Sequence, residues 1–157
     1  MKKKCIKALG KMTYGIYVLT TSYKDEINGM IASWVSQISY DPPLVVAAIH
    51  PNRYSHHLIE QSGSFALHVL ANDQAGFLSR FKGADPRGKF GGIQWTKGKT
   101  GCPILNDCVA VIECTVIAAY TPGNHTLFVG EIVDAKQFSD QHPLTTLDYE
   151  GQYLGRT

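Results

Sequence analysis

The sequence feature that most constrains the fold is a pair of long apolar segments separated by a tight turn. Residues 109–120, VAVIECTVIAAY, and residues 125–138 are both rich in β-branched or aromatic side chains, which favour strands. Between them, residues 121–124 form the Thr-Pro-Gly-Asn sequence that is typical of a turn. The two segments therefore predict a β-hairpin.

Several shorter segments are also predicted as strands, and the helical patterns are few and short. Strands are predicted over residues 14–21, 27–43, 44–50 and 65–70, with a turn and an edge strand over residues 143–157. One helix is predicted over residues 55–62, with Ser55 as N-cap and Gly63 as its stop, and a second from Asn72 or Asp73 to about Phe81. The Asn-Gly pair within residues 22–29 predicts a chain reversal. Because no βαβ rhythm is present, we expect a mainly β protein, a closed or nearly closed antiparallel barrel with peripheral short helices.

Length, charge and cysteine spacing disfavour several classes of protein. A chain of 157 residues fits a single domain over residues 1–157. There is no apolar run long enough for a transmembrane helix, and the basic start lacks the apolar core of a secretory signal, so a cytoplasmic protein without membrane contact is predicted. A net charge of +2 with scattered basic residues disfavours nucleic-acid binding. The four cysteines form no metal-binding spacing, and Cys114 is expected to be a buried thiol.

Two segments have compositions that suit a ligand. Residues 27–43, INGMIASWVSQISYDPP, form a strand pattern with poor hydrophobic periodicity and many hydrogen-bonding groups. That composition suits a wall whose backbone faces a flat polar ligand; the alternative is an ordinary strand and loop. Residues 82–103 form a long loop rich in Gly and Lys, and loops of this length in a compact domain are often functional.

The familiar catalytic motifs of hydrolases, phosphoryl-transfer enzymes and zinc proteases are absent from the sequence, which favours a cofactor that supplies the chemistry. Asn52, Arg53 and Ser55 lie where a strand leads into a helix N-terminus, a position suited to a phosphate group. Residues 79–83 offer two cations and an aromatic at a helix end, and residues 123–126 place a histidine in a turn. The alternatives are a plain N-cap with an exposed arginine, favourable charge at a helix C-terminus, and a histidine in solvent.

The order of these segments resembles that of a known protein family. NGMIASWVSQISYDPPLV is followed by HPNRYSH, FALHVL, LSRFKG, GCPIL, VAVIECTV, PGNHTLFVGEIV and a final YEGQYLG. This order resembles the flavin reductase-like FMN-binding proteins over nearly the whole chain, from about Tyr14 to Gly155. The resemblance implies a split β-barrel, a homodimer and a non-covalent FMN, with FAD less expected.

The resemblance also implies roles for individual residues. Contacts to the flavin ring and ribityl chain are expected from Ala32, Ser33, Trp34, Val35, Ser36 and Gln37. Phosphate contacts are expected from Asn52, Arg53, Tyr54 and Ser55, with help from Arg80, Phe81 and Lys82. The match to a late aromatic near the flavin edge is Tyr153. His125 matches the histidine where the nicotinamide of NADH or NADPH docks.

The chain departs from the family pattern at three positions. Asn124 replaces the usual Asp before the turn histidine, and Trp34 and Gln37 replace the smaller residues common in freely diffusing flavin reductases. In these departures the chain looks more like the flavin reductase modules attached to rubredoxin or to diiron flavoproteins in anaerobes. No Cys-x-x-Cys rubredoxin segment is present, so any such redox partner would be a separate protein.

Three hypotheses follow. The first is an NAD(P)H-dependent FMN reductase, with hydride passing from C4 of the nicotinamide to N5 of the flavin and no side-chain acid or base required. The second is an FMN electron-transfer protein between a separate reductase and a rubredoxin or flavodiiron-type acceptor. The third is a flavin-free binding module.

Overall fold

The computed structural model describes residues 2–149 of the chain. The helical elements are α1 (Lys3–Leu9), α2 (Tyr54–Ser62) and a 3₁₀ helix (Ala75–Phe81). The strands are β1 (Tyr17–Tyr23), β2 (Glu26–Ala32), β3 (Val35–Ser39), β4 (Leu44–Ile49), β5 (Ser64–Val69), β6 (Trp95–Lys97), β7 (Pro103–Leu105), β8 (Ala110–Tyr120) and β9 (Thr126–Gln137). Among the described residues, no helix is long and apolar enough to cross a membrane.

Seven of these strands form one antiparallel sheet in the order β2-β1-β5-β8-β9-β4-β3, while β6 and β7 pair separately. The two edge strands, β2 and β3, are consecutive in the chain, with Ser33 and Trp34 alone between them. The Ala48 N–H donates to the Trp34 carbonyl at 2.9 Å, which extends the β3–β4 pairing back to Trp34, only two residues after the end of β2. The sheet therefore curls into a barrel, and the predicted antiparallel β architecture with short peripheral helices is confirmed.

The barrel interior contains alternate residues of its strands. On β4, Val45, Ala47 and Ile49 are buried, whereas the residues between them are half-buried. They pack against Phe65 and Phe128, which are almost fully buried. This alternation fixes the strand register, because a shift of one residue would expose the apolar side chains.

A second apolar cluster lies outside the barrel, where the 3₁₀ helix covers β1 and β2. Val18, Leu78 and Phe81 belong to this cluster. Gly29 is central to it: a Cβ at that position would lie 2.6 Å from Cδ1 of Phe81. Gly29 therefore allows an aromatic ring to lie directly on the backbone of β2.

The predicted reversal within residues 22–29 is confirmed, since the chain turns at Lys24 and Asp25 between β1 and β2, where Lys24 adopts a φ of 55°. The Asn28-Gly29 pair is not the turn itself and lies within β2. The glycine is needed for close approach rather than for a turn. The predicted single strand over residues 27–43 is likewise two strands, β2 and β3.

The helices also differ from expectation at their starts. The first predicted helix is α2, which begins at Tyr54 with Arg53 as its N-cap residue. Ser55 is therefore not the cap, and its side chain instead accepts a hydrogen bond from Asn28. The second predicted helix is the 3₁₀ helix, which begins after Gln74 rather than after Asn72 or Asp73. The sequence patterns did not predict α1.

The structure also decides the prediction for Cys114 and describes part of the predicted C-terminal edge strand. Cys114 is fully buried and free, and burial raises the pKa of its thiol to about 12, so it behaves as an inert apolar side chain. Of the predicted C-terminal edge strand, the described part forms only isolated bridges, from Pro143 to Ala71 and from Thr145 to Gly15.

A buried histidine joins the barrel to β7. The ring of His68 contacts the Val18 carbonyl through Nδ1 at 3.1 Å, and its Nε2 accepts the Leu105 N–H at 3.1 Å. The Nδ1 atom therefore carries the proton, and the ring is neutral. Burial lowers the pKa of His68 to about 4.

We predict that His68 makes folding stability depend on pH. The unfolded chain binds a proton near the ordinary pKa of 6.5, and the folded protein resists it down to about 4. Stability present above pH 6.5 is therefore lost as the pH falls towards 4, by about 3 kcal/mol in total. Urea unfolding should show this loss in the wild type. His68→Gln keeps one donor and one acceptor but cannot titrate, so an equally steep loss in that variant would contradict the assignment.

Candidate functional site

The candidate site is a pocket of about 230 Å³ between β2, the start of α2 and the segment that follows the 3₁₀ helix. Its lining is apolar along one side, from Ile31, Leu78 and Phe81, and polar at the other end. The full lining is Ile16, Asn28, Met30, Ile31, Ser33, Arg53, Tyr54, Leu78, Phe81, Lys82, Gly83, Ala84, Lys89 and Tyr149. An apolar pocket with a few convergent polar groups is the usual form of a small-molecule site.

Two buried polar atoms in this lining have no hydrogen-bond partner within the described part of the chain. They are Oδ1 of Asn28 and Oγ of Ser33. The amide nitrogen of Asn28 donates to Oγ of Ser55 at 2.9 Å, which fixes the side chain and directs its oxygen away from Ser55. Buried polar atoms are nearly always satisfied, so both atoms indicate a ligand with hydrogen-bonding groups.

The polar end of the pocket is cationic. Arg53, Lys82 and Lys89 all line it, and within residues 2–149 none of the three forms a salt bridge with a carboxylate. Lys82 instead donates to the Tyr149 hydroxyl at 3.1 Å. Since α2 begins beside them, its first N–H groups and its dipole add to the positive potential. This end of the pocket can hold a phosphate.

Lys89 is the most deeply placed of these cations, with a relative exposure of 5%. Its ammonium donates to the carbonyls of Gly29 and Gly83, both at 2.9 Å, so it ties the loop to β2. Burial lowers the pKa of Lys89, the nearby charge of Arg53 lowers it further, and Asp85 opposes both effects. A cation held beside another cation indicates an anionic ligand between or beside them.

A cluster of rings adjoins the same site. The imidazole of His125 lies 4.7 Å from the Trp34 ring and 5.2 Å from the His50 ring, measured between centroids. Its Nδ1 contacts Oδ1 of Asn124 at 2.8 Å. Burial lowers the pKa of His125, and the neighbouring His50 and Arg53 add to that shift. The charge of Arg53 therefore acts on both Lys89 in the pocket and His125 in the ring cluster.

The structure brings several predicted site residues together at the pocket, namely Ser33, Arg53, Tyr54, Phe81 and Lys82. Ser55 lies beneath the pocket and holds Asn28.

The other predicted residues lie elsewhere. Ala32 is in the barrel core and Val35 packs against it. Ser36 and Gln37 are exposed on β3 and bond to the backbone of their own strand. Asn52 and Arg80 are exposed and bond to His50 and to the Gly91 carbonyl, respectively. Tyr153 lies outside the described residues.

Comparison with known proteins agrees with this geometry. The profile of the family described as "Flavin reductase like domain" matches residues 9–155. The chain belongs to the flavin reductase-like family. It is 34% identical to a ferric-chelate reductase (NAD(P)H) of Archaeoglobus fulgidus, over 97% of this chain and 92% of the relative.

Two further similarities support membership. A high molecular weight rubredoxin of Moorella thermoacetica is 32% identical over 96% of this chain and 68% of that protein. A solved structure of a flavin reductase in its native state has a TM-score of 0.81 and 31% identity, and covers 92% of this chain and 93% of that one.

For this flavin reductase-like chain, sequence reasoning did not single out Lys89, which the pocket brings forward. Lys89 lies within the basic segment from Arg80 to Lys99, and that clustering of charge was the available signal. Asn28 was one of the hydrogen-bonding residues noted in the segment 27–43, although Asn-Gly is also the strongest short turn signal.

We predict that Arg53 and Arg80 differ sharply in their effect on flavin affinity. Arg53→Ala removes a charge from the pocket and should weaken FMN binding by roughly 1.5–3 kcal/mol, the range for a charged hydrogen bond. Arg80→Ala removes an equal charge from an exposed side chain that bonds to Gly91, and should have a much smaller effect. Fluorescence titration of both variants with FMN measures the difference. Equal losses of FMN affinity would show that the net charge of the protein, rather than a contact in the pocket, determines that affinity.

Proposed function

We propose that this protein is an NAD(P)H-dependent oxidoreductase of the flavin reductase type that binds FMN non-covalently. The observation that carries the proposal is a single pocket that combines an apolar wall, two buried polar atoms without a partner among residues 2–149, and three cations that form no salt bridge within those residues. A flavin has the same sequence of properties along its length: a flat ring with polar edges, then a phosphate. The printed activities of the relatives, an NAD(P)H-dependent ferric-chelate reductase and a flavin reductase, support this assignment.

Each part of the pocket has a role in the proposed function. Arg53, Lys82 and Lys89 hold the phosphate, while Asn28 and Ser33 donate to or accept from the polar edge of the ring. A bound flavin supplies the hydride-accepting and electron-transferring chemistry. The protein's own contribution is to bind and orient both reactants and to exclude water from the apolar wall, so no side-chain acid or base is needed.

The surroundings of the cationic end support FMN over FAD. Tyr54 separates the pocket from an open groove of about 520 Å³ whose lining includes Asp25 and Glu26. Arg87 also lines this groove, but its charge is already paired with Asp85 at 2.7 Å. The Tyr54 hydroxyl donates a hydrogen bond to Glu26, which raises the pKa of Tyr54. A second phosphate leaving the pocket past Tyr54 would meet these carboxylates, which disfavours a pyrophosphate.

We also propose a homodimer formed through the outer face of the β8-β9-β4-β3 half of the barrel. Ile38, Ile117 and Val133 project from β3, β8 and β9 and are each about half exposed. Large apolar side chains exposed in the same half of the sheet favour a protein–protein contact there. A cytoplasmic location is proposed as well, and the free thiols agree with a reducing compartment.

A second candidate function is electron transfer to a separate redox protein. It is favoured by the similarity to a high molecular weight rubredoxin and by Trp34 beside His125 at the site. In this case FMN would stay bound and another enzyme would reduce it.

Stopped-flow mixing of the FMN-loaded protein with NADH and with NADPH distinguishes these functions. We expect at least one nucleotide to bleach the flavin absorbance within seconds. His125→Ala should slow that bleaching while FMN remains bound, because His125 is assigned to the nicotinamide. A flavin that stays oxidised for minutes with both nucleotides would favour the electron-transfer protein. A protein that gains no visible absorbance with FMN would indicate the flavin-free module.

The FMN preference can be tested at Glu26. The wild type should bind FMN more tightly than FAD. Glu26→Gln should reduce the ratio of the FAD Kd to the FMN Kd by about threefold to tenfold, which is the effect of removing one exposed like charge. Glutamine still accepts the Tyr54 hydrogen bond, so the wall of the pocket is kept. Glu60→Gln removes an exposed carboxylate on α2 that does not line either cavity and serves as the control. An unchanged ratio in Glu26→Gln would remove this carboxylate from cofactor selection.

A further inference from the structure

His50 and His125 face each other across two paired strands. The register of β4 and β9 pairs Ile49 with Thr126, so the next pair outward is His50 with His125. Their rings meet edge to face, with centroids 5.2 Å apart and an interplanar angle of 83°. Trp34 contacts His125 at 4.7 Å and belongs to the neighbouring edge of the sheet. His125 therefore contacts two rings, one from the residue after β4 and one from the connection between β2 and β3.

Hydrogen bonds with neighbouring asparagines fix the orientation of both histidines. Nδ1 of His125 lies 2.8 Å from Oδ1 of Asn124. Nδ1 of His50 lies 2.7 Å from Oδ1 of Asn52 and 3.2 Å from the Asn52 backbone nitrogen, so two contacts with one residue hold that ring. An amide oxygen can only accept, so Nδ1 of His125 carries the proton and its neutral ring leaves Nε2 as an acceptor. For His125, that acceptor suits an amide N–H₂ group.

Burial is the largest cause of the lowered pKa of His125. His50, which faces it from the end of β4, and Arg53, at the start of α2, add to that shift. Its partner within the turn is Asn124, which is uncharged, and Trp34 on the other side is also uncharged. A histidine in these surroundings stays an acceptor at neutral pH.

We propose that His50 is a positioning residue for His125: its ring edge holds the His125 imidazole against Trp34, so that Nε2 of His125 is presented to the carboxamide of a nicotinamide nucleotide. The inference rests on the proposed function. It assigns to His50 a role in nucleotide affinity rather than in flavin binding. It also explains Asn52, which was expected at the phosphate but instead orients His50.

The test compares His50→Ala, which removes the ring, with His50→Phe, which keeps an aromatic edge against His125. His142→Ala removes an exposed histidine away from the site and is the control. With FMN-loaded protein, the dependence of the flavin reduction rate on nucleotide concentration gives an apparent Kd. We expect His50→Ala to raise that Kd about tenfold, the value of one hydrogen bond, with FMN affinity unchanged. His50→Phe should recover most of the loss.

A second measurement does not depend on activity. NMR titration of the FMN-free protein reports the pKa and the tautomer of His125. We expect both variants of His50 to raise that pKa, because the imidazole that lowers it is gone, and His50→Ala alone to lose the single Nδ1–H tautomer.

Each outcome decides the assignment. Equal losses of nucleotide affinity in His50→Phe and His50→Ala would mean that His50 acts through its nitrogen atoms, and the packing role would be overturned. Unchanged affinity, pKa and tautomer in both variants would overturn it too. If neither nucleotide reduces the wild type, the proposed function fails. The NMR titration then still decides whether His50 positions His125.

Discussion

The structure depends on the short passage from β2 to β3, where one continuous segment supplies both edges of the sheet. Ser33 and Trp34 bridge those edges, and the Ala48 N–H bonds to the Trp34 carbonyl. The two-residue connection therefore holds the edge strands β2 and β3 close together. It also places Ser33 in the pocket and Trp34 against His125, so the residues that close the barrel also join the two halves of the site.

Much of the fold could be predicted from the sequence, because strands with one buried face have a clear pattern. The hairpin of β8 and β9 and the apolar β4 are where their composition placed them. Local signals misled where tertiary packing overrode them. Asn28-Gly29 has the sequence of a turn, yet it lies in β2 because Phe81 requires a residue without Cβ at Gly29. A contact between residues so distant in the chain has no local signature.

The site was less predictable than the fold, for a related reason. Arg53 and Tyr54 were accessible to sequence reasoning, since a strand end before a helix is a recognisable phosphate position. Lys89 was not, because its role depends on the carbonyls of Gly29 and Gly83, which folding alone brings together. Asn52 shows the converse: its position in the sequence suggested the phosphate, but its side chain bonds to His50.

Arg53 connects the two halves of the site electrostatically. Its charge contributes to the lowered pKa of Lys89 at the pocket and of His125 in the ring cluster, although burial is the larger cause at both. An anion beside Arg53 would offset part of that charge at both positions. Lys89 would then hold its proton more firmly, which strengthens phosphate binding. Burial and His50 would still lower the pKa of His125, so it would remain the neutral acceptor that nucleotide recognition requires. Arg53 can thus bind the cofactor phosphate while His125 remains a neutral hydrogen-bond acceptor.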